Sequence, residues 1–194
     1  QFSIQKQDTI DYFNTRKDFR PDVFAARLNQ LILEELDAKE KVGVMFLCIG
    51  TDRSTGDSLG PLIGHKLRGR RLAGAAVIGT LDKPVHAMNL DLYARYIKLH
   101  YPDYVVVAID ASVGSPDHVG YATLGRGALQ PGLGVSKNLE AVGDISITGI
   151  VGGAGSRDPV MLQSVRLSIV MKMADCICEG ICLVERLWDN AAII

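Results

Sequence analysis

Short apolar runs alternate along this chain with longer segments whose apolar residues recur at helical spacing. The short runs are mostly apolar and rich in β-branched residues, which is typical of strands buried on both faces of a parallel sheet. They are 42–49, 75–80, 104–109 and 145–151. The segment 119–124 predicts an additional strand, for which antiparallel pairing is the expectation.

The segments between these runs repeat their apolar residues every three or four positions, which predicts amphipathic helices. Pro21 suits the first turn of a helix over 22–38. Two more helices are predicted over 58–70 and 87–100, and the second carries Met88, Leu92, Tyr96 and Leu99 at helical spacing. A terminal helix is expected after Asp158 and Pro159, with a stripe made of Leu162, Val165, Ile169, Met173 and Cys176.

This order of elements predicts an α/β fold, a three-layer α/β/α arrangement with a mostly parallel central sheet. The first 20 residues are mostly polar and charged, with Ile10, Tyr12 and Phe13 as their only clustered apolar residues, and we expect a loosely attached arm or a short helix there. The predicted organisation is therefore an N-terminal arm, 1–20, followed by a single α/β domain, 21–194, of a length that suits one core.

Charge and composition narrow the choice of partners. The chain is 47% hydrophobic and 22% charged, as expected of a globular protein, and its formal net charge is −1. That balance gives no overall attraction for nucleic acid or an anionic membrane. The one local basic cluster, made of Lys66, Arg68, Arg70 and Arg71, ends a predicted helix, where cations meet the negative end of the helix dipole.

The four cysteines, at 48, 176, 178 and 182, form no CxxC motif, which favours free thiols in a reducing compartment. Cys178 and Cys182 could also share a helix face as metal ligands, although buried, apolar-type cysteines are the commoner case. The chain has no long uncharged apolar run and no signal-like start. We therefore expect a cytoplasmic protein.

Two aspartates are the strongest candidates for chemistry. Asp57 lies in a polar loop between the first predicted strand and a helix, and Asp110 directly follows the third strand. Ligands of open α/β sheets bind beyond the carboxyl ends of the strands, so both side chains should face one crevice. Two neighbouring acids can divide into an ionised base and a protonated acid, or they can hold a metal ion.

Each aspartate also has a simpler interpretation. Asp57 could cap the helix that begins near Ser58, and Asp110 could be a turn-forming acid at a strand end. The glycine-containing loop before Asp57 is similar to a phosphate-binding loop, but Asp57 stands where such a loop needs its lysine.

Several other residues could bind substrate at the same edge. Asp52 and Arg53 could orient a substrate or form a surface ion pair. His86 follows a predicted strand and could line the crevice, or it could simply enter a helix. The backbone amides of Gly152 and Gly153, which follow the fourth strand, could receive a carboxylate or a peptide carbonyl, or the glycines could only form a turn.

Three segments, 50–61, 108–112 and 131–151, carry a resemblance to a known family. With the spacing between them, the sequence over 42–175 resembles the germination-protease-like spore proteases, and most closely the YyaC sporulation protein family. The resemblance implies a phosphorylase/hydrolase-like fold, shared with the hydrogenase maturation proteases, and catalytic roles for Asp57 and Asp110. No histidine follows His118, whereas the hydrogenase maturation proteases carry a metal-binding histidine, so we expect no metal and no cofactor.

The leading hypothesis is a sporulation-associated endopeptidase of the forespore or spore interior, in which the aspartate pair activates water. Its partner would be a protein or peptide substrate, with small spore proteins as candidates, and neither nucleic acid nor a membrane. The oligomeric state is open, and a homo-oligomer is one alternative. Other hypotheses are a non-catalytic peptide- or metabolite-binding module and, less favoured, a metal-dependent protease of the hydrogenase-maturation type.

Overall fold

One mixed sheet organises the computed structural model, which describes residues 9–70, 72, 74–131, 139–153 and 162–191. Its strands in these ranges are β1 (Asp11–Asn14), β2 (Gly43–Cys48), β3 (Ala75–Ile78), β4 (Tyr104–Gly114), β5 (Tyr121–Arg126) and β6 (Ile145–Gly153). Their order across the sheet is β1-β5-β6-β4-β2-β3. Strands β3, β2, β4 and β6 are adjacent in that order and run parallel to one another. Strand β5 is antiparallel to β6, and β1 is antiparallel to β5.

Helices cover both faces of this sheet. They are α1 (Pro21–Ala38), α2 (Leu59–Arg68), α3 (Leu90–His100) and α4 (Leu167–Ala191). The larger core cluster joins one sheet face to α1, α2 and α4, through residues such as Phe24, Phe46 and Ile177. A smaller cluster joins the other face to α3, through Leu47 and Ile97. The predicted three-layer, mostly parallel α/β fold is therefore confirmed, as is the antiparallel strand expected near 119–124.

The start of the chain differs from the prediction, because part of the expected arm is a strand. β1 pairs with β5, and Phe13 packs against Phe19 and Phe24 with ring centroids 6.3 and 5.0 Å apart. The hydroxyl of Thr15 donates to the Gly120 carbonyl at 2.7 Å. A short helix over these described residues was therefore the wrong prediction, since the aromatic anchor draws the segment to the edge of the sheet. The division of the chain at residue 20 stays a prediction.

β4 is longer than the sequence indicated. The predicted strand stops before Asp110, but β4 continues to Gly114 and pairs with β6 over that extension. Its other neighbour, β2, stops at Cys48 opposite Ile109. Asp110 therefore lies inside β4, one residue past the last position that pairs with β2.

The helix predicted over 87–100 is confirmed as α3, but the stripe that revealed it faces solvent. Met88, Leu92, Tyr96 and Leu99 are exposed by 71%, 67%, 46% and 75%. Leu90 and Ile97, on the opposite side of α3, are the residues buried against the sheet. The start expected for the terminal helix, at Asp158 and Pro159, lies outside the described residues, and α4 begins at Leu167.

A network of charged side chains ties α1 to the amino end of β4. The carboxylate of Asp144 accepts hydrogen bonds from Lys39 Nζ at 2.6 Å, Lys41 Nζ at 3.2 Å and the Val106 N–H at 2.8 Å. Burial alone would raise the pKa of Asp144, but these hydrogen bonds outweigh it and lower the pKa. Lys39 also pairs with the buried Glu35, at 2.6 Å.

We expect Asp144→Asn to lower the free energy of unfolding by about 2 kcal/mol at neutral pH, because it weakens charged hydrogen bonds in a mostly buried place. The pKa of Asp144 is lowered in the folded state, so its contribution is present above about pH 4 and is lost as the pH falls through the lower folded pKa. Urea denaturation of both proteins between neutral and acidic pH measures this.

The matched control is Asp103→Asn, which changes an exposed aspartate near the same end of the sheet. This substitution should leave the urea midpoint of unfolding nearly unchanged. A deficit in Asp144→Asn that stayed constant down to strongly acidic pH would contradict the electrostatic account.

Candidate active site

The loop after β2 is fixed by backbone hydrogen bonds. The Gly50 N–H donates to the Val85 carbonyl at 2.7 Å, and the Thr51 N–H donates to the Asp57 carbonyl at 3.0 Å. The Asp57 N–H in turn donates to the Ser54 carbonyl at 3.1 Å. A 3-10 turn, Gly56–Ser58, then leads directly into α2. The loop that carries Asp57 is therefore held in one conformation by its own backbone hydrogen bonds.

Glycines let α2 lie directly on the ends of β2 and β3. A Cβ at Gly60 would lie 2.0 Å from the Ile49 carbonyl oxygen, and one at Gly64 would lie 1.7 Å from the Gly79 carbonyl oxygen. Gly50 has φ +139°, and a Cβ there would lie 2.1 Å from the Asp57 carbonyl oxygen. We call Gly50, Gly60, Gly64 and Gly79 the glycine seam. No larger residue fits these positions without moving backbone, so the seam sets the position of Asp57.

Asp57 is partly buried and does not cap α2. The N-cap position of α2 is Ser58, which makes no side-chain capping bond, and its hydroxyl donates to the Thr55 carbonyl at 2.7 Å. Burial raises the pKa of Asp57 to about 6, although the Thr51 N–H opposes the shift. The simpler interpretation of Asp57 as a helix cap therefore does not hold.

Asp110 is more deeply buried, with an exposed fraction of 6%. Burial and, after it, the charge of Asp57 raise the pKa of Asp110 well above its ordinary value, against a 2.8 Å hydrogen bond from the Ala111 N–H. The 3-10 turn Gly56–Ser58 contacts β4, and the charge of Asp57 acts on Asp110, so the two acids are neighbours. Asp110 also lies within a strand, so its interpretation as a turn-forming acid does not hold.

A row of hydroxyl groups crosses the sheet beside Asp110, and it was not among the predicted site residues. Thr148 of β6 is the register partner of Asp110, and Thr123 of β5 is the partner of Thr148. The two threonine hydroxyl oxygens are 2.6 Å apart, and the Ser112 hydroxyl donates to that of Thr148 at 3.3 Å. The alternation of Ser146 and Thr148 with isoleucines in β6 was the signal that could have revealed this polar face.

His86 lies at the same edge of the sheet. Val85, just before it, forms an isolated parallel bridge with Ile49 at the end of β2. The Nδ1 atom of His86 accepts a hydrogen bond from the Met88 N–H at 3.2 Å, so neutral His86 carries its proton on Nε2. The segment therefore positions a half-buried imidazole next to the base of the Asp57 loop.

The remaining predicted site residues are less closely grouped. Asp52 and Arg53 are exposed in the Asp57 loop, and no ion pair joins these two described residues. Gly152 and Gly153 pair with Val113 and Gly114 of β4. They are therefore about 10 Å from Asp110, measured along the strand direction. The motif 132–138 and the residues 154–156 lie outside the described residues.

Among the described residues, no three His, Cys, Asp or Glu side chains form a group that could hold a metal ion. The four cysteines are free and buried, as expected, and burial raises the pKa of Cys178 to about 12. No helix in the described ranges is long and apolar enough to cross a membrane.

Asp57 and Asp110 are thus two neighbouring acids whose different burial gives them different pKa values. Burial raises the pKa of Asp57 to about 6 and holds the proton on the more deeply buried Asp110 more tightly, so Asp57 is the member that ionises first as the pH rises. Such a pair can take a proton from water with one member and donate a hydrogen bond with the other. This is the chemistry that a hydrolytic reaction needs.

We expect Asp57→Asn to be more stable than the parent above about pH 7. The pKa of Asp57 is raised in the folded state, so its contribution to stability is full below about pH 4 and is lost as the pH rises through about 6. The neutral amide avoids that loss, and the gain at pH 8 should be on the order of 2 kcal/mol. Thermal and urea denaturation between pH 4 and 8 measure it.

The control for this experiment is Asp52→Asn, an exposed neighbour in the same loop. It should follow the parent at every pH. An Asp57→Asn protein that is no more stable than the parent at pH 8 would contradict the burial of an ionised carboxylate.

Comparison with known proteins gives a family. The sequence matches, over residues 20–180, the family described as "Protein of unknown function (DUF1256)". It is 45% identical over 168 residues to "Uncharacterized protein YyaC" of Bacillus subtilis (strain 168), an alignment that covers 85% of this chain and 81% of the relative. The resemblance to YyaC is thereby confirmed.

Among solved structures, a NiFe hydrogenase maturation protease, HycI, from Thermococcus kodakarensis KOD1 is similar with a TM-score of 0.48 and 16% identity. The match covers 80% of this chain and 99% of that one. The family match spans most of the sequence, from α1 into α4. This chain therefore belongs to the DUF1256 family.

Proposed function

We propose that this protein is an endopeptidase in which Asp57 and Asp110 activate a water molecule for attack on a peptide carbonyl. The observation that carries the proposal is the pair of neighbouring, buried carboxyl groups with raised pKa values at the carboxyl end of a parallel sheet. Burying two such groups costs stability, and sites that keep a costly arrangement of this kind are candidates for chemistry.

The two aspartates take different roles because their burial differs. Asp57, with a pKa of about 6, is ionised at neutral pH and accepts a proton from the attacking water. Asp110, which is deeper and keeps its proton, donates a hydrogen bond to the carbonyl oxygen as negative charge develops there. When the carbon–nitrogen bond breaks, the proton held by Asp57 passes to the leaving amine.

The surrounding residues support these roles. The hydroxyl of Thr148, directly across from Asp110 on β6, gives that side of the acid a polar neighbour. Asp52 and Arg53, exposed in the loop that carries Asp57, and His86, at its base, are positioned to contact a bound chain. Gly152 and Gly153 extend the β4–β6 ladder away from Asp110 and would contact more distant parts of the substrate.

A peptide is the proposed substrate because the sequence resembles the germination-protease-like spore proteases. The segments that carry this resemblance include the Asp57 loop and the part of β4 that holds Asp110. On the same basis we propose that the protein acts during sporulation, in the forespore or spore interior, on small spore proteins.

The test is cleavage of small spore proteins by the purified protein, with new termini identified by mass spectrometry. We expect Asp57→Asn and Asp110→Asn each to lower kcat/KM by about a thousandfold or more, because each removes one half of the acid–base pair. Activity of the parent should rise with pH through about 6, as Asp57 ionises, and fall at higher pH when Asp110 loses its proton.

Asp117→Asn, an exposed aspartate outside the site, is the matched control and should keep parental activity. Cleavage that persists in both site variants would rule out this mechanism. Substrate binding without cleavage by the parent would instead favour the binding module, and activity lost with EDTA and restored by added metal would favour a metal-dependent protease.

A further inference from the structure

The outer face of α3 carries an apolar stripe that no described residue covers. The stripe consists of Leu92, Tyr96 and Leu99 on α3 and of Met88 in the turn just before it, each exposed by at least 46%. These side chains together expose apolar surface on the order of 500 Å², the size at which patches on a monomer become interaction sites. The inner face of α3 already fills the core with Leu90 and Ile97, so the helix does not need the stripe to fold.

The spacing within the stripe is that of a helix that packs against another helix. Leu92, Tyr96 and Leu99 follow each other by four and three residues, the interval of the apolar positions in helix pairs. Tyr96 is held in place by its ring contacts with His100, at 4.5 Å, and with Tyr101, at 6.1 Å. A preordered aromatic side chain in the middle of the stripe loses little entropy on binding.

The charges beside the stripe indicate which partner fits. Asp91, Arg95 and Lys98 are exposed along one flank of α3, where they line the same groove, and no ion pair joins them to another described residue. An anionic membrane or an acidic protein would be attracted by a flank that carries only positive residues. This flank has its negative residue toward the amino end and its positive residues toward the carboxyl end.

We infer that this stripe is the contact surface for a second copy of the same chain, with the two α3 helices packed antiparallel about a twofold axis. Twofold symmetry brings the same flank of both helices together in opposite directions. Asp91 of one copy then faces Lys98 of the other, twice, and each Leu92 lies between Tyr96 and Leu99 of the other copy. The two stripes would bury on the order of 1,000 Å², enough for a weak but specific dimer.

The experiment measures self-association of the full chain by sedimentation equilibrium over a wide concentration range. The parent should form dimers, and Leu92→Asp should raise the dimer dissociation constant by at least about tenfold, because it places a charge in the apolar contact. Leu33→Asp changes a leucine on α1 that is exposed by 50%, and it should associate like the parent. Circular dichroism and urea denaturation check that each variant folds.

Charge exchange tests the identity of the partner. Asp91→Lys and Lys98→Asp should each raise the dissociation constant severalfold, since like charges then face each other, and the double variant should return it to within about twofold of the parent. A parent that stays monomeric at all concentrations would overturn the inference. So would equal weakening by Leu33→Asp, or a double variant no better than the single ones.

Discussion

The close approach of α2 to the ends of β2 and β3 is the constraint on which the candidate site depends. At Gly60 and Gly64 the helix lies so near the strand ends that a methyl group would overlap backbone oxygens of Ile49 and Gly79. Because backbone cannot yield as a side chain can, the helix has one position, and the loop from Gly50 to Asp57 must close over it. The close packing at the glycine seam thus fixes the position of the Asp57 carboxyl group.

The second carboxyl group depends on unequal strand lengths. β2 stops at Cys48 while β4 continues, so Asp110 lies one residue past the end of the β2–β4 pairing, beside the segment that leads into the Asp57 loop. Ionisation of either acid is costly here: burial raises the pKa of Asp57, and burial together with the charge of Asp57 raises the pKa of Asp110. A fold that only needed stability would place neutral side chains here, and local conflicts of this kind are expected at functional sites.

Much of the fold could be predicted from sequence because buried parallel strands have an unmistakable apolar pattern. The same pattern predicted that Asp57 and Asp110 lie toward the carboxyl ends of neighbouring strands, where ligands of open α/β sheets bind. It could not show that β4 continues past Asp110, because the residues from Asp110 to Gly114 are mostly small or polar and only their pairing with β6 reveals the strand. Nor could it show β1, whose few residues are held by pairing with β5 and by the ring of Phe13.

α3 shows a different limit, because periodicity reveals a helix without revealing which face is buried. The stripe at Met88, Leu92, Tyr96 and Leu99 is longer than the inner pair of Leu90 and Ile97, yet the inner pair meets the sheet. The start of the helix decides this: the His86 carbonyl accepts the N–H groups of Asn89 and Leu90, both at 2.9 Å. Val85, next to it, holds Gly50, so a few residues fix both the orientation of α3 and the base of the Asp57 loop. Loosening one would therefore loosen the other.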